Sequence, residues 1–317
     1  MANEEHQDLL IGIAQGFYYS RNSISELAKK YNISRYYVEK YLDEATNSGL
    51  VNISIKAPVG RQRTIERKFK QVFPQLNVTV LKDTLNPAET ASNVFLYAAR
   101  DIQHSIKDHQ IVGLSWGETM YDLIQHFNTD DRPSITFTQI MGENMKYNSK
   151  AGSTRMVEMA ANRLGAQYKT IVAPLYIFDP ETRKLLASEP AIAPTLALGS
   201  KIDLSICSVG TIASIESIPV WQQMSEKIIP PAKKKEVAGI LYGRPYDLNG
   251  RFINLENIPV FSIPLEQILA IPRRISVVTN KFKTEATLGA IRGNLLNTLY
   301  LSESVANKII SNADEFN

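Results

Sequence analysis

Cysteine is almost missing from these 317 residues: Cys207 stands alone, so no intramolecular disulfide and no cysteine-rich zinc site can form. It lies in the apolar run IDLSICSVG, where a buried, unreactive thiol is expected. Charge of one dominant sign is missing too. Thirty-five Lys and Arg against 32 Asp and Glu leave a net charge of +3, so the chain is no polycation. No apolar run reaches the ~20 residues that span a bilayer, and no membrane partner is expected. The amino end, MANEEHQDLL, is acidic and polar, unlike a secretory signal, which makes the cytoplasm the expected compartment. Histidine is scarce, with only His6, His104, His109 and His126. What is left is an ordinary globular composition, 44% apolar and 21% charged, long enough for one large domain or two.

Proline is absent from residues 1–55, and apolar residues there recur at helical spacing. Leu9, Leu10, Ile13 and Phe17 predict a first helix. Ser23-Ile24-Ser25-Glu26 has the form of a capping box and opens a second, with Ile24, Leu27 and Ala28 facing inward. Asn32-Ile33 makes a turn, and Ser34 can cap a third helix that buries Val38, Leu42 and Ala45. Gly49 stops it, and LVNISI alternates as the strand of a wing would. Two short helices joined by a tight turn form a helix-turn-helix, whose second helix meets DNA with its first residues. Ser23, Ser34, Arg35, Tyr36, Tyr37 and Lys40 are the candidate DNA contacts, through phosphate, base edge or thymine methyl. An αα-hairpin used only for packing is the bland alternative.

The domain itself is not basic, with five Lys and Arg against seven Asp and Glu in residues 1–55. The following stretch, KAPVGRQRTIERKFK, is: six Lys and Arg stand against Glu66 alone. It suits either the phosphate backbone or one solvated helix face. The expected division is a DNA-binding domain at 1–56, a linker and basic segment at 57–74, and an effector domain at 75–317.

From residue 75 strand and helix patterns alternate. NVTVLK, QIVGLS, ITFTQIM, TIVAPLYIF, IDLSICSVG and ISVVTN read as strands. Pro87 opens one helix at its first position, and ETMYDLIQHF, TRMVEMAANRLG and KTEATLGAIRGN read as others. Such alternation implies a mostly parallel sheet covered on both faces. AGILYGRPYDLNGRFI breaks the rhythm and reads as a hairpin turning at Asn249-Gly250.

Gly113-Leu114-Ser115-Trp116-Gly117 has the G-x-S-x-G spacing of a hydrolase nucleophile elbow. That mechanism needs a histidine late in the chain, and only His126 follows Ser115, in the very next helix. A phosphate cradle fits better. A parallel strand ends at a glycine turn that opens a helix, where amides point outward and attract anions. Gly113 and Gly117 let chain and ligand approach, and Ser115 and Thr119 add hydroxyls. A tight turn with no ligand is the plain alternative.

These residues carry a resemblance. VGLSWGETM is similar to the glycine-tryptophan-glycine-x-threonine signature of the SorC family of bacterial transcription regulators. VAPLYI (172–177), DLSICSVG (203–210), GRPYDLNG (243–250) and KTEATLGAIRGN (283–294) resemble its other segments, across nearly the whole chain. The resemblance implies an α/β chain: a small all-α winged helix-turn-helix domain, then a Rossmann-like effector domain of the phosphosugar-isomerase type. It also implies operator DNA as partner, a phosphorylated sugar as effector with no cofactor besides, and a homodimer or homotetramer.

By motif, Ser115, Gly117 and Thr119 would hold the phosphate, with Lys283 donating from the far side and Trp116 in the core or the pocket wall. Asp247 would accept from sugar hydroxyls or merely set its turn, and Arg244 would buttress it or bind a second anion. Members that trap an open-chain sugar as an imine carry a lysine where Met141 stands, so no imine is expected there. Glu143, Asn280 and Asn294 replace glycines of the pattern, and Glu143 would repel phosphate if it faced the pocket. A phosphosugar isomerase or deaminase with an accessory helix-turn-helix is the alternative function, with Glu143 or Asp247 as its base.

Overall fold

The computed structural model describes residues 2–51, 60–145 and 153–315. The chain divides into two compact units, Met1–Pro58 and Val59–Asn317. The first is three helices: α1 (Ala2–Tyr18), α2 (Ile24–Tyr31) and α3 (Arg35–Asn47). Ile13, Leu27, Val38 and Leu42 form its core, one or two from each helix, as the spacing requires. Caps set where each helix begins. The Ser23 hydroxyl accepts from the Glu26 amide while the Glu26 carboxylate accepts from the Ser23 amide, completing the box. Asn32 takes the left-handed conformation that ends α2, and Ser34 caps α3. The expected wing strand falls mostly outside the described residues.

The second unit holds a seven-stranded sheet, all parallel, in the order β1-β9-β8-β5-β2-β3-β4. The strands are β1 (Asn77–Leu81), β2 (Ile111–Leu114), β3 (Thr136–Gln139), β4 (Gln167–Lys169), β5 (Leu204–Ile206), β8 (Arg273–Val278) and β9 (Thr298–Ser302). A separate antiparallel pair joins β6 (Gly239–Leu241) to β7 (Arg244–Tyr246). Successive residues serve opposite faces: Leu299 and Leu301 enter one core and Tyr300 the other. α5 (Pro87–Ser105), α6 (Glu118–Gln125) and α7 (Ser153–Leu164) cover the Tyr300 face. The other face carries α4 (Arg63–Val72) and the helices Thr284–Arg292 and Glu303–Glu315.

Three expectations need correction. The basic stretch is not a linker apart from the second unit. From Arg63 it forms α4, whose Ile65 and Phe69 are buried in that unit's core while Arg63, Arg67, Lys68 and Lys70 face solvent. Ahead of it the amide of Gln62 donates to Val80 and that of Lys82 to Gly60, so the chain covers the β1 edge.

TIVAPLYIF is no strand. It makes only isolated bridges, Pro174 to Glu143 and Tyr176 to Val260, because Pro174 has no amide for a ladder. Its apolar alternation serves two clusters instead, with Ile171 and Ala173 in one and Leu175 in the other. The hairpin turns at Tyr242-Gly243, both at positive φ (55° and 73°), the geometry a two-residue hairpin turn asks for. Asn249-Gly250 forms a second turn that closes the Tyr246–Phe252 bridge.

Candidate functional sites

At the start of α3, Arg35, Tyr36, Tyr37 and Lys40 are all exposed, Tyr36 with 68% of its surface free. Tyr36 and Tyr37 meet edge to face, 5.6 Å between centroids, and the Lys40 ammonium sits 5.9 Å from the Tyr37 ring. Tyr37 also lies 5.9 Å from Tyr41. The face therefore presents two aromatic rings and two cations side by side. Ser34 accepts from the Tyr37 amide at 3.4 Å. Ser23 donates its hydroxyl to Glu26 at 2.8 Å, so its proton is already used at the head of α2.

In the second unit a cavity of about 600 Å³ opens at the carboxyl ends of the strands. Its position follows from topology. β2 runs into α6, whose Met120, Leu123 and Ile124 join one core. β5 runs into the short helix Ile212–Glu216, whose Ile215 joins the opposite core. Neighbouring strands whose helices part to opposite faces leave a crevice between them, where open α/β sheets hold ligands.

Trp116, Gly117 and Thr119 line this cavity from the β2–α6 turn, and Lys283 lines it from the segment after β8. Gly117 sits at φ 126°, a conformation open to glycine, and no side chain caps the start of α6. The Lys283 ammonium donates to the Thr119 hydroxyl at 3.3 Å. Burial lowers the Lys283 pKa, and the nearby Glu118 carboxylate opposes that shift. A half-buried cation beside a helix amino terminus calls for a neighbouring anion, and Glu118 is the one within the protein. Trp116 is both wall and core, as it packs against both core clusters and donates its indole N–H to the Gly142 carbonyl at 3.1 Å.

Four expected residues stand away from the cavity lining. Gly113 is glycine for packing, since a Cβ there would lie 2.6 Å from Ile140. Ser115 is buried, and its hydroxyl accepts from the Ser208 amide at 3.0 Å. That bond ties β2 to the loop after β5 and leaves the serine poorly placed as a nucleophile. Asp247 sets its turn, one carboxylate oxygen accepting from the Asn249 and Arg251 amides, both at 2.9 Å. Arg244 is buried, donates to the Tyr242 carbonyl and the Ser262 hydroxyl, and its Nε finds no hydrogen-bond partner among the described residues. Burial lowers its pKa to about 10. Cys207 is buried as expected, its thiol pushed up to about 12.

The departures from the motif find their places too. Met141 lines the cavity, as does Asn280, while Glu143 does not; its backbone pairs with Pro174 and Asn144 lines the wall instead. Asn294 sits at φ 51°, left-handed backbone in which asparagine replaces glycine at little cost. The sequence reading missed the loop after β5, where Ser208, Gly210, Thr211 and Ser214 line the cavity, and it missed Asp122 on α6. The signal was there in part: a run of small polar residues directly after a buried strand.

Comparison with known proteins bears on the whole chain. A family of sugar-binding domains matches residues 57–311. The deoxyribonucleoside regulator of Bacillus subtilis (strain 168) is 21% identical over 314 residues, covering 98% of this chain and 99% of that protein. The sorbitol operon regulator of Klebsiella pneumoniae is also 21% identical, over 98% of this chain and 100% of the relative. Among solved structures, the full-length sorbitol operon regulator SorC from Klebsiella pneumoniae has the same fold. Its TM-score is 0.73 at 20% identity, over 96% of this chain and 98% of that one. A DeoR family transcriptional regulator from Listeria monocytogenes matches with TM-score 0.66 at 19% identity, over 78% and 98%. Among the described residues no helix is long and apolar enough to cross a membrane.

Proposed function

The chain belongs to the SorC family of transcriptional regulators, whose sugar-binding domain it carries, and on that premise we propose that it governs a carbohydrate-utilisation operon. In this reading α3 docks on operator DNA, a phosphorylated sugar occupies the cavity of the second unit, and the occupied and empty forms differ in operator affinity. The chain acts in the cytoplasm as a homodimer or homotetramer, as a regulator and not an enzyme. Coupling of this kind requires that the effector bind the two DNA-binding states unequally, typically by ~1–3 kcal/mol.

One observation carries the effector reading: the Lys283 ammonium and the Thr119 hydroxyl, 3.3 Å apart, meet at the uncapped start of α6 inside a cavity that fits a small sugar. The phosphate would take the first-turn amides, Thr119 and Lys283. Ser208, Thr211 and Ser214 supply hydroxyls for the sugar. Met141 cannot form an imine, so binding is reversible and non-covalent at that wall.

The reading is tested by thermal shift against a panel of sugar phosphates and the same sugars unphosphorylated. A ligand present at 100 times its Kd stabilises the folded state by ~2.7 kcal/mol, a shift of several degrees. The expected result is a rise with at least one phosphorylated member and none with its unphosphorylated partner; equal shifts would overturn the phosphate assignment. For the DNA face, Arg35→Ala with Tyr36→Ala should lower specific operator affinity by ~2 kcal/mol or more. Undiminished binding at physiological salt would move the contact away from α3.

A further inference from the structure

The cavity carries more negative than positive charge. Among the described residues three charged side chains line it: Glu118, Asp122 and Lys283. Glu118 and Asp122 are four apart on α6, and Thr119 and Asp122 are three apart, so all three share one helical face, the face turned to the cavity. Glu118 lies close enough to Lys283 to oppose the effect of burial on it. Asp122 has no lysine or arginine beside it among the described lining residues, and only His126, one turn further along α6, favours its charged form. Asp122 is exposed at the cavity rim, and its carboxyl pKa is raised, first by burial and then by the neighbouring Glu118 carboxylate, with His126 opposing, so the lining carries two carboxylates to one ammonium.

A ligand fits this distribution if its charges mirror it: one anion at Lys283 and the α6 start, and a cationic or strongly donating group about one helical turn further along. We infer that the effector is a phosphorylated amino sugar, with its phosphate at Lys283 and its ammonium at Asp122. The inference rests on the phosphorylated-sugar reading above and sharpens it. A sugar bisphosphate matches this inventory less well, because among the described residues no further lining cation is present to receive its second phosphate. A neutral sugar phosphate can place a hydroxyl against Asp122, but a hydroxyl–carboxylate contact is weaker than an ammonium–carboxylate contact of the same geometry.

Isothermal titration calorimetry on the full chain with matched pairs tests this: glucosamine 6-phosphate against glucose 6-phosphate, and the galactose and mannose counterparts. In at least one pair the amino sugar is expected to bind ~10-fold tighter or better, the margin of one charge-assisted hydrogen bond. Asp122→Asn should bring the two members of that pair to near equality, while Lys283→Ala should weaken both. If the hydroxyl member binds as tightly in all three pairs, or if the preference survives Asp122→Asn, the amino-sugar assignment is overturned while the phosphate reading stands. If none of the six nor inorganic phosphate binds the wild-type chain, both fall. Tighter binding of fructose 1,6-bisphosphate than of any monophosphate would overturn the charge argument directly.

Discussion

Two glycine-rich stretches, GLSWGETM and GRPYDLNG, look equally suited to hold a ligand, and the fold uses them in opposite ways. The first follows a parallel strand. Its backbone arrives at the edge where the carboxyl ends of β2 and β5 gather, and Gly117 and Thr119 come to line a cavity. The second belongs to an antiparallel hairpin and its following turn. There Asp247 is consumed by the Asn249 and Arg251 amides, and Arg244 by the Tyr242 carbonyl and Ser262. A hairpin satisfies its own polar groups locally, whereas a strand-to-helix turn bares them at a shared edge. The contrast extends within the first stretch. Ser115 still belongs to the strand end and bonds to a neighbouring loop, while Thr119, four residues on, reaches the site.

Substitutions at the two stretches should therefore separate stability from binding. The largest effect is expected at Gly250, which sits at φ 77° and where a Cβ would run into the Gly289 carbonyl and Gly293. Gly250→Val should cost more than ~4 kcal/mol and leave no cooperative melt; a normal melting curve would show that this turn can move off the Thr284–Arg292 helix.

Next comes Asp247→Ala, which strips two backbone amides of their acceptor. It should lower stability by ~1–3 kcal/mol in urea denaturation yet leave the Kd for a sugar phosphate within about twofold. A large loss of ligand affinity with unchanged stability would return Asp247 to the site.

The smallest effect concerns pH. Burial lowers the Lys283 pKa in the folded chain, so the unfolded chain holds this proton to higher pH. Between the lowered value and the ordinary lysine value, stability from this group rises with pH. Phosphate affinity should fall over the same alkaline window as the ammonium is lost, with a proton taken up on binding. Calorimetry in two buffers of different ionisation enthalpy would read that proton, and none taken up would detach Lys283 from the ligand.

Much of this was legible in the chain because the deciding physics is local. Ser23, Ser34 and Pro87 mark helix starts through groups a few residues away, and each begins a helix where the sequence places it. Lys283 was legible as a cation at a helix start that asks for an anion. What escaped notice depends on distant partners. The alternation in TIVAPLYIF mimics a strand but reflects two clusters that the extended strap meets along its length. The turn at Tyr242-Gly243 puts a tyrosine in left-handed backbone, where Asn-Gly is the stronger local signal, and that signal lay seven residues away. The roles of Ser208 and Asp122 appear only once β5 lies beside β2 and α6 turns one face to the cavity between them.

The most direct test is an operator gel shift with and without the best-binding sugar phosphate, for the wild-type chain and for Lys283→Ala. The account predicts that the ligand changes operator affinity of the wild type by ~5-fold or more, while Lys283→Ala binds the operator normally and no longer responds. A Lys283→Ala chain that responds to the same ligand at the same concentration would contradict it.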